Sequence, residues 1–101
     1  MLSDTATDIR QEVDQSTEYE PMARVIIHND EVTPYDFVIL ILQKIFHLNP
    51  LTAEHITFVA HTSGQAHVTT LPLSEARKRV GKAHFAASLE GYPLMFTIEL
   101  E

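Results

Sequence analysis

The feature that most constrains this chain is an abrupt change of pattern between residues 25 and 38. Val25-Ile26-Ile27 is a short apolar run. It stops at His28-Asn29-Asp30-Glu31, and Thr33-Pro34 then opens a long segment with helical periodicity. Thr33 suits the N-cap, Pro34 suits the first helical position, and Asp36 sits where the acid of a capping box belongs. The pattern predicts strand, polar turn, helix. It sets an amide, two carboxylates and an imidazole at the mouth of the strand–helix crevice.

The rest of the chain extends this unit. The first strand is expected over 22–28, with Val25 and Ile27 on one face and Arg24, Ile26 and His28 on the other. The first helix is expected over 34–47, where Phe37, Val38, Ile41, Leu42 and Ile45 recur at helical spacing. Ile39 and Leu40 widen that stripe, either under a second layer of structure or as an exposed contact or ligand-lining patch. Asn49-Pro50 starts a second helix by the same grammar. It ends near His61, with Gly64 as the turn residue.

A second strand follows over 65–71, with Ala66, Val68 and Thr70 alternating against His67, Thr69 and Leu71. After Pro72 a third helix runs to about Glu90, where Gly91 stops it; Leu73, Ala76, Val80, Ala83 and Ala87 form its apolar stripe. A third strand over 94–100 carries Leu94, Phe96, Ile98 and Leu100 on one face. The order is β-α-α-β-α-β. Three short strands cannot bury two faces, so the expected fold is α+β, a small three-stranded antiparallel sheet packed on three helices.

Charge divides the chain. Residues 1–20 carry six acids (Asp4, Asp8, Glu12, Asp14, Glu18, Glu20) against Arg10 alone, a net −5 of the total −7. This segment is poor in large apolar residues and is expected to be an acidic, disordered extension ahead of a core domain over 21–101. The acidic balance argues against nucleic-acid binding, which needs a basic surface. The chain has no Cys, which excludes disulfide and thiolate chemistry and fits a reducing cytosol. No apolar leader opens it, and 37–46 is too short to span a bilayer.

Enzyme signatures are missing. The glycines are Gly64, Gly81 and Gly91, which form no phosphate loop, and no G-x-S-x-G elbow occurs. Asp30 and Glu31 are chain neighbours whose side chains diverge, a poor geometry for a shared acid/base pair. The six histidines (His28, His47, His55, His61, His67, His84) lack the tight spacing of a structural zinc site. No catalytic residue, metal or cofactor is therefore assigned.

Asn29, Asp30 and His61 form the best-motivated trio. An amide oxygen, a carboxylate and a neutral imidazole nitrogen are acceptors, and an ammonium group offers only donors. If the first strand and second helix are neighbours, the trio suits a primary amine. On spacing alone, a turn stabilised by Asn29 and Asp30 with His61 capping a helix is the favoured reading.

The stretch His28-Asn29-Asp30-Glu31-Val32-Thr33-Pro34 resembles the ClpS family signature, N-D-[DE]-x-T-P before a helix. Phe58-Val59-Ala60-His61 with Gly64 resembles that family's second motif, and Tyr92-Pro93-Leu94-Met95-Phe96-Thr97-Ile98-Glu99 its terminal strand. The register holds from about Met22 to Glu101. The resemblance implies a bacterial, cytoplasmic adaptor with no catalytic activity. Such an adaptor binds substrate proteins by a bulky apolar N-terminal residue, an N-degron, and delivers them to a ClpA/ClpC-type AAA+ unfoldase for proteolysis. It implies that Asn29, Asp30 and His61 hold the α-amine. It implies a side-chain pocket of Glu31, Thr33, Tyr35, Val38, Thr57, Ala60 and Leu94.

The family commonly has Met at Tyr35, Met or a large aliphatic at Thr57, and Val at Ala60. Ala60 and Thr57 are expected to enlarge the pocket or make it more polar, and Tyr35 to fill part of it, favouring aromatic first residues over Leu. On the third helix the family's acidic unfoldase-contacting position falls on Ser74, with Glu75 beside it, and the basic one on Arg79. Arg77, Lys78 and Lys82 extend that basic run. The acidic extension fits the family's delivery step, in which the unfoldase engages it. The altered pocket positions leave a second reading, an interaction module that regulates the unfoldase without binding N-degrons.

Overall fold

The computed structural model describes residues 20–101, so the extension expected over 1–20 lies outside the described residues except for Glu20. The elements are β1 (Met22–His28), α1 (Tyr35–Lys44), α2 (Pro50–Ser63), β2 (Gln65–Pro72), α3 (Leu73–Leu89) and β3 (Met95–Leu100). The sheet order is β2-β1-β3, and both pairings are antiparallel. This is the expected α+β arrangement. The central strand is the one that runs into Asn29 and Asp30.

The core lies between the sheet and the helices. Ala23, Val25 and Ile27 of β1 and Phe96 of β3 meet Ile41, Leu42 and Phe46, with Phe46 and Phe96 at a ring-centroid distance of 5.1 Å. The α3 stripe of Ala76, Val80, Ala83 and Ala87 is buried. Its small side chains allow the helix to lie close to the strands. His84 on the same helix accepts a hydrogen bond at Nε2 from the Phe96 N–H at 3.0 Å, which requires the neutral ring with its proton on Nδ1.

Three local expectations are corrected. Thr33 does not cap α1. The helix begins one residue later, with Pro34 in the cap position and no side-chain cap bond from Asp36. The Thr33 hydroxyl donates instead to Asp30 Oδ2 at 2.8 Å, because that carboxylate already holds the Thr33 N–H. The helix also stops at Lys44 rather than His47. Arg79 of α3 donates to the Ile45 carbonyl at 3.1 Å, and His47 turns left-handed at φ 58°.

The alternation of β2 breaks as well. Val25 pairs with Thr69 and Ile26 with His67, so Val68 is an extra residue in a bulge. Beyond it the faces exchange. Leu71 stands opposite Ala23 and packs against the core, and Thr70 stands opposite Arg24. His67 Nε2 and the Thr70 hydroxyl share a 2.8 Å hydrogen bond, which the bulge makes possible.

The ends of α2 follow the expected chemistry. Asn49 accepts from the Thr52 N–H at 2.8 Å, and Gly64 closes the helix at φ 94°. The Gly64 carbonyl then accepts from the Asn29 N–H at 2.9 Å, joining the end of β1 to the end of α2. A Cβ at Gly64 would meet nothing within 4 Å. The cost of Gly64→Ala is therefore conformational, about 1–2 kcal/mol. Urea unfolding of that variant should show this loss with an unchanged m-value.

Candidate functional site

β1 ends in a turn built on Asp30. Its Oδ1 accepts from the N–H of Val32 at 2.8 Å and of Thr33 at 2.6 Å, and its Oδ2 from the Thr33 hydroxyl. Burial acts to raise the Asp30 pKa, but the hydrogen bonds from Thr33 and Val32 together outweigh it and hold the carboxyl below its ordinary value. Two carboxylate oxygens accept about four hydrogen bonds. With three in place, Asp30 keeps acceptor capacity on Oδ2.

Asn29 is exposed just after β1, and His61 is exposed in the last turn of α2. The Asn29–Gly64 backbone bond brings these two ends together. Among the described residues, no hydrogen bond engages the side chains of Asn29 and His61. The Tyr35 ring meets the His61 imidazole edge to face, with centroids 5.9 Å apart and planes at 86°.

These groups border one cavity of about 370 Å³, within the usual size of a small-ligand pocket, roughly 300–1,000 Å³. Asn29, Asp30 and His61 line it. So do Glu31, Thr33 and Tyr35 from the turn and the start of α1, and Val38, Thr57, Ala60 and Leu94 beyond them. The cavity is graded. Asn29, Glu31, Tyr35 and His61 are exposed, whereas Val38, Thr57, Ala60 and Leu94 are buried. A rim of acceptors thus stands over an apolar floor.

Thr57 adds less polarity than expected. Its hydroxyl donates to the Ala53 carbonyl at 2.7 Å, within its own helix. Two lining residues, Ile27 and His28, were not anticipated. They are the last two residues of β1, and their adjacency to Asn29 was the available signal. His28 Nε2 shares a 2.7 Å hydrogen bond with the Thr97 hydroxyl, which steadies the strand end beneath the rim.

The α3 residues form a separate group. Arg79 Nε donates to Glu75 Oε2 at 2.7 Å, and its guanidinium also reaches the Ile45 carbonyl. The pair is therefore committed within the fold. The Arg79 guanidinium, through its hydrogen bond and charge, lowers the Glu75 pKa. Arg77 and Lys78 are exposed. At the start of α3, Glu20 accepts from the Ser74 N–H at 2.6 Å and its hydroxyl at 2.9 Å. A carboxylate 54 residues earlier in the chain thus stands at the first turn of α3.

A family model described as "ATP-dependent Clp protease adaptor protein ClpS" matches residues 18–97. The chain belongs to the ClpS family. It is 33% identical over 100 residues to the Clp protease adapter protein ClpS 2 of Mesorhizobium japonicum, covering 99% of each chain. It is 38% identical over 76 residues to the ClpS adapter of Nautilia profundicola, covering 75% of this chain and 78% of that one. The fold superposes on Agrobacterium tumefaciens ClpS2, solved with bound L-phenylalaninamide. The TM-score is 0.78 at 30% identity, covering 81% of this chain and 99% of that one. Asn29, Asp30, Glu31 and His61, which carry the resemblance in the sequence, border the cavity.

Asp30 has a pH signature. Its pKa is lower in the folded chain than the roughly 3.9 of an unperturbed aspartate, so the ionised carboxylate contributes stability above that value. The contribution is lost as pH falls through the folded pKa. Asp30→Asn should therefore lower stability at neutral pH and flatten its dependence between about pH 5 and pH 2, read by urea unfolding across that range.

Proposed function

We propose that the chain is an N-degron adaptor whose cavity takes the first residue of a substrate protein. Asn29, Asp30 and His61 accept hydrogen bonds from the protonated α-amine. Val38, Thr57, Ala60 and Leu94 receive the apolar side chain, with Glu31, Thr33 and Tyr35 at the entrance. The observation that carries this reading is the graded cavity, in which amine acceptors and an apolar floor meet. The relative solved with L-phenylalaninamide supports it, since that ligand has a free amine beside a phenyl group.

Each half of the ligand supplies part of the affinity. A charge-assisted hydrogen bond contributes about 1.5–3 kcal/mol, and burying a Phe or Leu side chain about 1.5–3 kcal/mol, against about 4–15 kcal/mol of lost freedom on association. Requiring both halves excludes internal Phe residues, which lack the amine, and acetylated termini.

The adaptor performs no chemistry itself. It passes bound substrates, in the bacterial cytoplasm, to a ClpA/ClpC-type unfoldase. The exposed Arg77 and Lys78 on α3 are the contacts offered to an acidic patch of that partner, with Glu75 and Arg79 holding the helix in place. The segment over 1–19 is the extension that the unfoldase engages.

Fluorescence anisotropy with labelled peptides tests the pocket. A Phe-first peptide should bind, and N-acetylation or His61→Ala should each weaken it about tenfold or more. Equal affinity of the acetylated peptide would overturn the reading. The small Ala60 side chain should favour Phe and Trp over Leu in the first position. Affinity should fall above about pH 8, as the peptide's amine loses its proton. Deleting residues 1–19 should leave these affinities unchanged and slow unfoldase-dependent degradation of a Phe-first substrate.

A further inference from the structure

The alanine stripe of α3 is buried against the core, and the opposite face of that helix stands in water. Ser74, Lys78, Phe85 and Leu89 recur there at helical spacing, with Arg77 and Lys82 beside them. Phe85 and Leu89 are 65% and 68% exposed. Large apolar side chains grouped in water mark a contact surface. Arg77, Lys78 and Lys82 are exposed too, and among the described residues they form no ion pair. The face is thus basic toward its start and apolar toward its end.

Its complement is an acidic segment with a few apolar side chains, and this chain contains one. Residues 1–19 hold Asp4, Asp8, Glu12, Asp14 and Glu18 against Arg10 alone, with Leu2, Ile9 and Val13 among them. That segment joins the fold beside the same face. Glu20 accepts from the Ser74 N–H and hydroxyl, and the Pro21 carbonyl accepts from the Leu73 N–H at 3.1 Å. The root of the segment is therefore fastened at the first turn of α3, where the exposed face begins. From Ser74 to Leu89 that face is about 22 Å long, at about 1.5 Å per helical residue. Extended chain advances about 3.3–3.6 Å per residue, so about seven residues suffice to cover it. A short tether also gives an effective concentration on the order of millimolar, so weak, screened ion pairs are enough to populate the contact.

We propose that residues 1–19 fold back along the exposed face of α3. Their acids pair with Arg77, Lys78 and Lys82, and their apolar residues lie on Phe85 and Leu89. That face is also the one offered to an acidic patch of the unfoldase, so the segment and the partner compete for it. The competition rests on the reading of α3 given above; the docking itself does not.

The test uses the full chain with a single nitroxide label at Thr5→Cys, which is unambiguous because the chain has no other Cys. Broadening of backbone amide signals in ¹⁵N-labelled protein reports where residue 5 spends its time. At about 0.01 M salt the amides over 78–89 should be broadened at least about twofold more than in a chain that also carries Asp4→Asn/Asp8→Asn/Glu12→Gln/Asp14→Asn/Glu18→Gln. That excess should vanish in Arg77→Glu/Lys78→Glu/Lys82→Glu, shrink in Phe85→Ser/Leu89→Ser, and vanish at about 1 M salt, where the Debye length falls from about 30 Å to about 3 Å. Equal broadening with acidic and neutralised segments would overturn the docking. So would an excess that survives the α3 charge reversal, or one centred on another surface such as Leu51 and Phe58. Broadening that appears only when spin-labelled ¹⁴N chains are mixed with unlabelled ¹⁵N chains would assign the face to a second copy and overturn it as well. Each of these outcomes is independent of whether a Phe-first peptide binds, so the cavity stands or falls separately.

Discussion

The Asn29 N–H donates to the Gly64 carbonyl over 2.9 Å, and the site depends on that contact more than on any other. β1 enters it as the central strand of the sheet, held on both sides. α2 enters it through a left-handed glycine that reverses the chain just after His61. Bringing these two ends together puts an amide, a carboxylate and an imidazole on one rim. The neighbouring turn is fixed independently by Asp30, whose carboxylate gathers two backbone N–H groups and one hydroxyl. Asp30 thus has two tasks, shaping the turn and facing the cavity, and its remaining acceptor capacity is what lets it do both.

The cavity combines two environments that separately would bind little. Its rim is wet and rich in acceptors; its floor is dry and built from small or branched side chains. Tyr35 belongs to both. It faces His61 edge on and also walls the groove between α1 and α2. The same aromatic ring therefore borders both the cavity and the groove. Thr57 withdraws its hydroxyl into its own helix. The floor therefore gains little polarity from it.

Much of this was legible in the sequence, for identifiable reasons. Elements with strong local signals fell where expected. Asn49-Pro50 opened α2, Gly64 closed it, and the alanine-rich stripe of α3 turned inward. What escaped reading depended on contacts distant in the chain or on competition between acceptors. Thr33 had every local credential of a helix cap, but a carboxylate three residues earlier took its hydroxyl. Nothing in residues 65–71 announces a bulge, which arises where β2 is fitted to β1. The early end of α1 depends on Arg79, 34 residues on from the carbonyl it takes. The site divides in the same way. Donor and acceptor chemistry made the amine trio a candidate and the family resemblance gave it that role, but its assembly required β1 and α2 to be neighbours. The apolar floor came from the family register alone, since Val38, Thr57, Ala60 and Leu94 share no spacing that spells a pocket. The Glu20–Ser74 contact was out of reach, because it links the edge of the expected extension to α3.

The central claim is that one cavity reads an amine and an apolar side chain together. Isothermal titration calorimetry with three small ligands tests it most directly. L-phenylalaninamide carries both groups, 3-phenylpropanamide lacks only the amine, and glycinamide lacks the benzyl side chain. Measurable binding of the first, with both others at least about tenfold weaker, is the predicted result. Equal binding of phenylalaninamide and 3-phenylpropanamide would mean that the rim of Asn29, Asp30 and His61 does not read an amine, and would contradict the account.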